Sequence, residues 1–108
     1  MRETDRYRIF IRDMFTCQKC GKRPGARNLQ IAHRIKQGEG SINWIRDVLQ
    51  ARGIDKSNKW INDFIIDHPY NTTTACSLAC NDSFNIFYNR EAADKLLDKI
   101  IENVKAIE

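Results

Sequence analysis

Four cysteines in two closely spaced pairs constrain the fold of this chain more than any other feature. The first pair is Cys17-x-x-Cys20, the second is Cys76-x-x-x-Cys80, and 55 residues separate them. A turn with two to four residues between cysteines presents two thiolates to one ion, and four thiolates complete the tetrahedral shell of Zn²⁺. We therefore predict one structural zinc, held by all four cysteines. Four reduced buried thiols, or a disulfide pair, are the alternatives.

The composition is that of a small globular protein. The 108 residues support one domain, and a hydrophobic content of 42% is globular rather than disordered. No apolar run approaches the roughly 20 residues that cross a bilayer, and the stretch MRETDRYRIF lacks the apolar core of a signal peptide. We expect a cytoplasmic protein without membrane contact, whose cysteines bind metal rather than form disulfides.

The positive charge is concentrated in the first third of the chain. Residues 1–36 carry ten Lys and Arg against three acidic residues, a net of +7, whereas residues 37–108 carry eight against eleven, a net of −3. Such an asymmetry favours a front region that faces a polyanion. A solvated charged surface is the alternative.

Hydrophobic periodicity predicts a mainly helical chain with a short strand. The first predicted elements are a basic amphipathic helix over 4–15 and a strand around 29–32. Two helices follow, one capped by Ser41 and ended by Gly53, the other capped by Ser57. The last two elements are a helix over 80–88 and a final helix capped by Asn89. One face of the final helix is apolar and is interpreted as core packing, with a dimer seam as the alternative; it carries Ala93, Leu96, Leu97, Ile100, Ile101, Val104 and Ile107.

The order of the motifs resembles the zinc-knuckle branch of the HNH endonucleases, particularly small phage and prophage-type members. The matching runs are RYRIFIRDMFTCQKCGKR, LQIAHRI and HPYNTTTAC…CN, within residues 6–36 and 68–89. The resemblance implies an α+β fold with a zinc-stapled ββα-metal (His-Me finger) core and flanking helices. It also implies a single domain over 1–108, with 41–66 as a helical insertion and 90–108 as a C-terminal helix.

The resemblance further implies the roles of the site residues. His33 would be the general base that activates water, and a neutral imidazole with a reference pKa near 6.5 suits that task. Asn71 would hold the segment that bears His33. Asn81 would lie opposite the imidazole as a catalytic residue and a ligand of Mg²⁺, Mn²⁺ or a similar ion. Asn85, four residues on, would be a second ligand on the same helical face, and His68 is a further candidate ligand.

Basic residues near these motifs are the candidates for nucleic-acid binding. Arg34 and Lys36 directly follow His33 and are best placed to contact the scissile phosphate. Arg8 and Arg12 lie on the basic N-terminal helix and would contact the DNA backbone. Affinity that rests on such phosphate contacts falls steeply with salt.

One position departs from the family pattern. In active relatives the residue before the catalytic histidine is usually Asp or His and ligates the metal, but here it is Ala32. A methyl group cannot coordinate an ion, and Mg²⁺ prefers oxygen ligands. Neutral amides, water and DNA phosphate would then hold the ion weakly, or His68 or Asp82 would contribute, or the domain would bind DNA without cutting it.

Three functions are therefore compatible with the sequence. The first is a metal-dependent DNA endonuclease or nickase in which His33 activates water. The second is a catalytically inactive, zinc-stabilised nucleic-acid-binding module, for which Ala32 is the main argument. The third is a structural or adaptor role in a phage or replicon assembly, with the C-terminal helix as the contact to a homodimer mate or a phage protein.

Overall fold

A computed structural model describes the backbone of residues 1–107 and the side chains of residues 1–104. Glu108 and the side chain of Ile107, which belongs to the predicted apolar stripe, lie outside the described residues. The helices and strands are α1 (Glu3–Arg12), β1 (Gln30–His33), α2 (Glu39–Ala51), α3 (Asn58–Ile61), β2 (Thr72–Ala75), α4 (Leu78–Ser83) and α5 (Arg90–Ile107). Shorter turns are 3₁₀ at Ala26–Asn28 and Pro69–Asn71 and π-helical at Asn62–Ile66. Over the described residues the chain is α+β, as the sequence predicts, with five α-helices and a two-stranded sheet.

The sheet is antiparallel and joins segments far apart in the sequence. Gln30 lies opposite Ala75, and His33 lies opposite Thr72. The backbone groups on the outer edge of β2 also have hydrogen-bond partners. The Thr74 N–H donates to Asp13 Oδ2 at 3.0 Å, and the Thr74 carbonyl accepts from the Gln18 N–H of the first cysteine turn at 3.0 Å. A covered edge leaves fewer unpaired backbone groups for other chains. Helix α4 follows β2 directly and packs on both strands.

Helix α1 ends earlier than predicted, at Arg12 rather than at residue 15. Met14 and Phe15 adopt left-handed backbone angles, with φ of 56° and 53°, which non-glycine residues rarely do. The Phe15 N–H donates to the Phe10 carbonyl and the Met14 N–H to the Ile11 carbonyl, so the helix closes in a Schellman motif. This reversal turns the chain back toward the sheet, where the first cysteine pair begins.

Two of the predicted caps of the inserted helices are confirmed and one is wrong. Gly53 has a φ of +76° directly after α2, where a left-handed residue ends the helix. The Ser57 hydroxyl accepts from the third backbone N–H beyond it at 3.1 Å and caps α3. Ser41, however, is buried inside α2, because the helix already starts at Glu39 after the turn at Gly38.

The helix predicted over 80–88 is shorter in the structure and occupies Leu78–Ser83. Its N-cap is Ser77, whose hydroxyl accepts a backbone N–H of the first turn at 3.2 Å. Asn85 lies beyond the helix, and its Oδ1 accepts from the Phe87 N–H at 2.9 Å. An asparagine that bonds its own backbone two residues on favours a turn over a helix. The expectation that Asn85 shares a helical face with Asn81 is therefore wrong.

The hydrophobic core lies between α2, α3, the π-helical turn and α5. Its buried members are Ile35, Ile45, Leu49, Ile61, Ile65, Ile66, Phe87, Leu97, Ile100, Ile101 and Val104. The described part of the apolar stripe on α5 faces this core, which confirms its interpretation as packing. The Asn89 side chain caps α5, as predicted. No helix in the described part of the chain is long and apolar enough to cross a membrane.

Candidate functional site

The four cysteines converge, as predicted. Their Sγ atoms all lie within 4.8 Å of one another, and none is in a disulfide. Cys20 Sγ lies 3.3 Å from Cys76 Sγ, which lies 3.9 Å from Cys80 Sγ. Tetrahedral zinc with Zn–S bonds of about 2.3 Å places its sulfurs about 3.8 Å apart. The cluster can therefore hold a metal ion, and its geometry is compatible with structural zinc.

Local backbone structure builds each half of the cluster. In the first pair, the Cys17 N–H donates to the Lys22 carbonyl and the Gly21 N–H donates to the Cys17 carbonyl, both at 2.9 Å. Gly21 has a φ of +80°, which the tight turn requires. The second pair begins directly after β2 and continues into the first turn of α4. The hydrogen bond from the Gln18 N–H to the edge of β2 therefore brings the two halves together.

The electrostatics of the thiols suit a cation at their centre. Burial raises the pKa of Cys17, but hydrogen bonds from the Cys20 and Lys19 backbone and from the Cys20 thiol outweigh burial and lower the pKa to about 6. The pKa of Cys76 rises to about 12, chiefly because its thiol is hydrogen-bonded to that of Cys20. One sulfur thus favours the anion while its neighbour keeps a proton. A bound metal would compensate the charge of four thiolates.

His33 is paired with a carboxylate at the end of β1. Its Nε2 lies 2.9 Å from Asp67 Oδ1, and the two side chains are only 10% and 11% exposed. A carboxylate can only accept, so Nε2 carries the proton and Nδ1 of the neutral ring keeps its lone pair. Nδ1 has no hydrogen-bond partner among the described residues. Sequence reasoning missed Asp67, because an acidic residue after an apolar stripe is too common to single out.

Asn71 is fully buried and joins the segment after His33 to the end of the insertion. Its Oδ1 accepts from the Ile35 N–H at 2.8 Å. Its Nδ2 donates to the Ile35 carbonyl at 3.0 Å and to the Ile66 carbonyl at 2.8 Å. The side chain thus holds the backbone two residues after His33. A role in positioning the imidazole requires such contacts and stays a prediction.

Asn81 is bonded to the strand that ends at His33. Its Nδ2 donates to Gln30 Oε1 at 3.1 Å and to the Ile31 carbonyl at 3.3 Å. Its Oδ1 has no hydrogen-bond partner among the described residues. This side chain therefore joins α4 to β1, and the expectation that Asn81 lies opposite the imidazole of His33 stays a prediction.

The predicted catalytic ion lacks a fitting set of donors. Ala32 is completely buried and offers only a methyl group. Asn85 uses its Oδ1 in a turn. Within the described residues, the four cysteines are the only group of three or more His, Cys, Asp or Glu whose ligand atoms could meet at one ion. No such group accompanies Asn81, and the catalytic ion at this residue stays a prediction.

His68 is a buried packing residue with both ring nitrogens engaged. Nδ1 accepts from the Tyr70 N–H at 3.0 Å, so Nε2 carries the proton and donates to Asn103 Oδ1 at 2.9 Å. Burial lowers the pKa of His68, and the bond to Asn103 opposes that shift. With neither lone pair free, His68 cannot ligate an ion in this conformation.

Arg12 makes several contacts within the protein, and its assignment to a nucleic-acid surface stays a prediction. Its Nη1 donates to the Pro69 carbonyl at 2.7 Å, and its Nη2 donates to the Thr72 carbonyl at 2.8 Å. Its Nε and Nη2 also pair with the Asp13 carboxylate at 2.9 and 3.0 Å. The guanidinium thus joins α1 to the start of β2 and is committed to contacts within the protein.

The other predicted phosphate-binding residues differ in exposure: Arg8 and Arg34 are exposed, whereas Lys36 is half-buried. Arg34 is exposed, and its side chain has no partner among the described residues. Lys36 donates to the Tyr88 hydroxyl at 2.8 Å. Arg8 is exposed on α1 and lines an open cavity of about 920 Å³ that Asp67 also lines. Arg34 and Lys36 therefore place two cations on the segment that follows His33.

Comparisons with known proteins add no relative. No protein-family model, curated protein or solved structure matches this chain. The class that the structure defines is an α+β domain with a four-cysteine cluster able to hold a metal such as zinc. The resemblance to the HNH endonucleases rests on the order and spacing of the sequence motifs.

Proposed function

We propose that this protein is a zinc-stabilised DNA endonuclease or nickase that hydrolyses phosphodiesters with His33 as the general base. The observation that carries the proposal is the largely buried pair of His33 Nε2 and Asp67 Oδ1 at 2.9 Å. A carboxylate on one ring nitrogen fixes the tautomer and stabilises the imidazolium that forms when the other nitrogen takes a proton.

The proposed reaction is an attack of water on a backbone phosphorus. Nδ1 of His33 takes a proton from the water as its oxygen bonds to phosphorus. The bond from phosphorus to the 3′ oxygen breaks, and that oxygen leaves with a proton from solvent. The exposed guanidinium of Arg34, next to His33, would neutralise charge on the phosphate.

Zinc in the cysteine cluster would be structural. Four thiolates leave no coordination position for a water, so such an ion does not activate one. Its role would be to hold the first cysteine turn against the end of β2 and the start of α4. Because no group of three or more His, Cys, Asp or Glu ligand atoms accompanies Asn81 among the described residues, we assign no step to a second, hard cation. The predicted requirement for Mg²⁺ or Mn²⁺ stays a question for the cleavage assay.

A second candidate function is a zinc-stabilised nucleic-acid-binding domain that does not cleave. One observation favours it: Ala32 is completely buried and offers no ligand atom. This position would have to change to supply the ligand that active relatives carry there. This candidate predicts salt-sensitive DNA binding with no cleavage.

Nicking of a supercoiled plasmid separates the two candidates. Wild type and His33→Ala are compared at low salt with Mg²⁺, with Mn²⁺ and without added divalent ion, after equal zinc content and circular dichroism have been verified. The proposal predicts nicking by wild type and a loss of about 10²- to 10⁴-fold in His33→Ala, the usual contribution of a general base.

Two results would decide against cleavage as the native activity. The first is a folded, zinc-loaded wild type that binds plasmid but leaves it intact under every condition. The second is nicking that persists in His33→Ala, which would mark a contaminating nuclease. If only Ala32→Asp nicks, the wild-type site is a degenerate one and the binding function stands.

A further inference from the structure

Tyr88 presents an aromatic ring almost entirely to solvent, and its neighbours hold that ring in place. The side chain is 79% exposed, between α4 and α5. Lys36 Nζ donates to its hydroxyl at 2.8 Å and lies 4.7 Å from the ring centre. Phe87 packs against it edge-to-face, with ring centres 5.2 Å apart. An exposed ring that is already held loses little freedom when a ligand stacks on it.

Cations lie beside this ring and the neighbouring Phe87 ring. Lys36 also lies over the Phe87 ring at 4.8 Å, and the Arg90 guanidinium lies 4.7 Å from the same ring. Neither Lys36 nor Arg90 forms an ion pair with a carboxylate of the described residues, and neither does Arg34. Aromatic faces interleaved with unpaired cations are the features that bind single-stranded nucleic acid, where bases stack and phosphates meet positive charge.

The ring is tied to the segment that carries the proposed general base. The Ile86 N–H donates to the Arg34 carbonyl at 2.8 Å, which joins the stretch before Tyr88 to the residue after His33. Lys36, which contacts the ring, is three residues from His33, so at most about 11 Å separates their Cα atoms. The ring is therefore joined to the segment that directly follows His33.

We propose that Tyr88 and Lys36 form a stacking platform for an unpaired nucleobase, so that the preferred ligand is DNA with a single-stranded segment. The inference rests on the proposed function in taking DNA as the ligand, and it adds the strand state. A single exposed aromatic residue is ordinary on a protein surface. The ring contacts of Lys36 and the unpaired charges of Arg34 and Arg90 are what distinguish this one.

The test measures binding in the His33→Ala background, so that cleavage cannot contribute. The probes are a labelled single strand of about 20 nucleotides, long enough for a typical site, and the same sequence as a blunt duplex. Tyr88→Ala removes the ring, whereas Tyr88→Phe keeps the ring and removes the hydroxyl that Lys36 binds. Tyr7→Ala, at a tyrosine of α1 that is 43% exposed, is the matched control.

We expect Tyr88→Ala to weaken single-strand binding about 5- to 100-fold, the usual effect of losing one stacked base. Blunt-duplex binding should change less than about twofold, and Tyr88→Phe and Tyr7→Ala should bind the single strand as the parent does. With 2-aminopurine in the strand, binding should quench its emission in the parent and in Tyr88→Phe, but not in Tyr88→Ala.

An equal effect of Tyr88→Ala on both probes, or no effect on either, would overturn the inference. So would quenching that survives the loss of the ring. These results are independent of the nicking assay. A wild type that does not nick, combined with the predicted Tyr88 effect, leaves the platform standing and removes the nuclease. Nicking by wild type, combined with unchanged binding in Tyr88→Ala, leaves the nuclease standing and removes the platform.

Discussion

At the level of single residues, the contact between His33 and Asp67 decides which ring nitrogen can act as a base. The carboxylate accepts a hydrogen bond from the protonated Nε2, so Nδ1 keeps its lone pair. The sequence indicates His33 through its place between the cysteine pairs, but Asp67 lies 34 residues further on and outside every motif. The pairing of Asp67 with His33 depends on how the insertion folds back onto β1, which local sequence patterns do not specify.

Asp67→Asn should impair catalysis without impairing DNA binding. An amide can donate or accept, so it no longer fixes the tautomer of His33 or stabilises its charged form. We expect the rate of nicking at saturating DNA to fall at least about tenfold, though by less than in His33→Ala, with KM unchanged.

The matched control is Asp63→Asn, an exposed carboxylate of the same segment that pairs with Lys59. It should nick at the wild-type rate. An Asp67→Asn protein as fast as wild type, or a control equally slow, would show that the carboxylate does not act through the imidazole.

His68 should make folding stability depend on pH. Burial lowers its pKa in the folded protein below the ordinary 6.5, against the opposing effect of Asn103. The stabilisation from keeping this ring neutral is complete above the unfolded pKa and is lost as the pH falls through the lowered folded value. We expect the free energy of unfolding by urea, with zinc present, to decrease from about pH 7.5 to about pH 5.5.

His68→Asn provides the comparison, because Asn can still accept the Tyr70 N–H but does not titrate. The variant should be less stable at neutral pH and should show a shallower slope. All other titratable groups are common to both proteins, so their contributions cancel in the difference. Parallel slopes would show that His68 does not contribute.

At the level of elements, patterns in the sequence predict where helices and strands occur better than where they end. The stripe of α5 and the caps at Ser57 and Asn89 follow from local chemistry and are present. The ends of α1 and α4 do not follow so simply. Met14 and Phe15 adopt left-handed angles that their side chains disfavour, and Asn85 turns the chain with its own side chain. Both ends are set by local hydrogen bonds, of Phe15 to Phe10 and of Phe87 to Asn85, that hydrophobic periodicity does not encode.

Arg12 joins α1 to β2, so its replacement should affect stability rather than DNA binding. Lysine has one ammonium in place of the planar guanidinium and cannot reach two carbonyls and a carboxylate together. Arg12→Lys should lower the free energy of unfolding by about 1–3 kcal/mol, as lost charged hydrogen bonds do. DNA affinity of the folded variant should match wild type.

Arg34→Ala is the opposite case and serves as the control. It should leave stability within about 0.5 kcal/mol, as exposed substitutions usually do, and should weaken DNA binding with a smaller dependence on salt. If Arg12→Lys weakened DNA binding as Arg34→Ala does, with stability unchanged, its guanidinium would face the nucleic acid after all.

At the level of the whole molecule, two features organise the fold: an apolar core and a cysteine cluster. The helices of the insertion and α5 form the apolar core, whereas α1, the cysteine turns, the sheet and α4 surround the cysteine cluster. The spacing of the cysteines predicts this convergence across 55 intervening residues. It does not predict the pairing of His33 with Asp67 or of Asn81 with Gln30, since these contacts depend on how β1 pairs with β2 and on how the insertion folds back.

Zinc content measured together with folding tests the central claim most directly. By native mass spectrometry we expect one zinc per chain in wild type, and no retained zinc in Cys17→Ser, whose thiol is buried at the cluster. Because metal binding is coupled to folding, a chelator should remove the ion and the cooperative thermal transition together. A wild type that is folded without zinc, or a Cys17→Ser protein that still holds one ion per chain, would contradict the account.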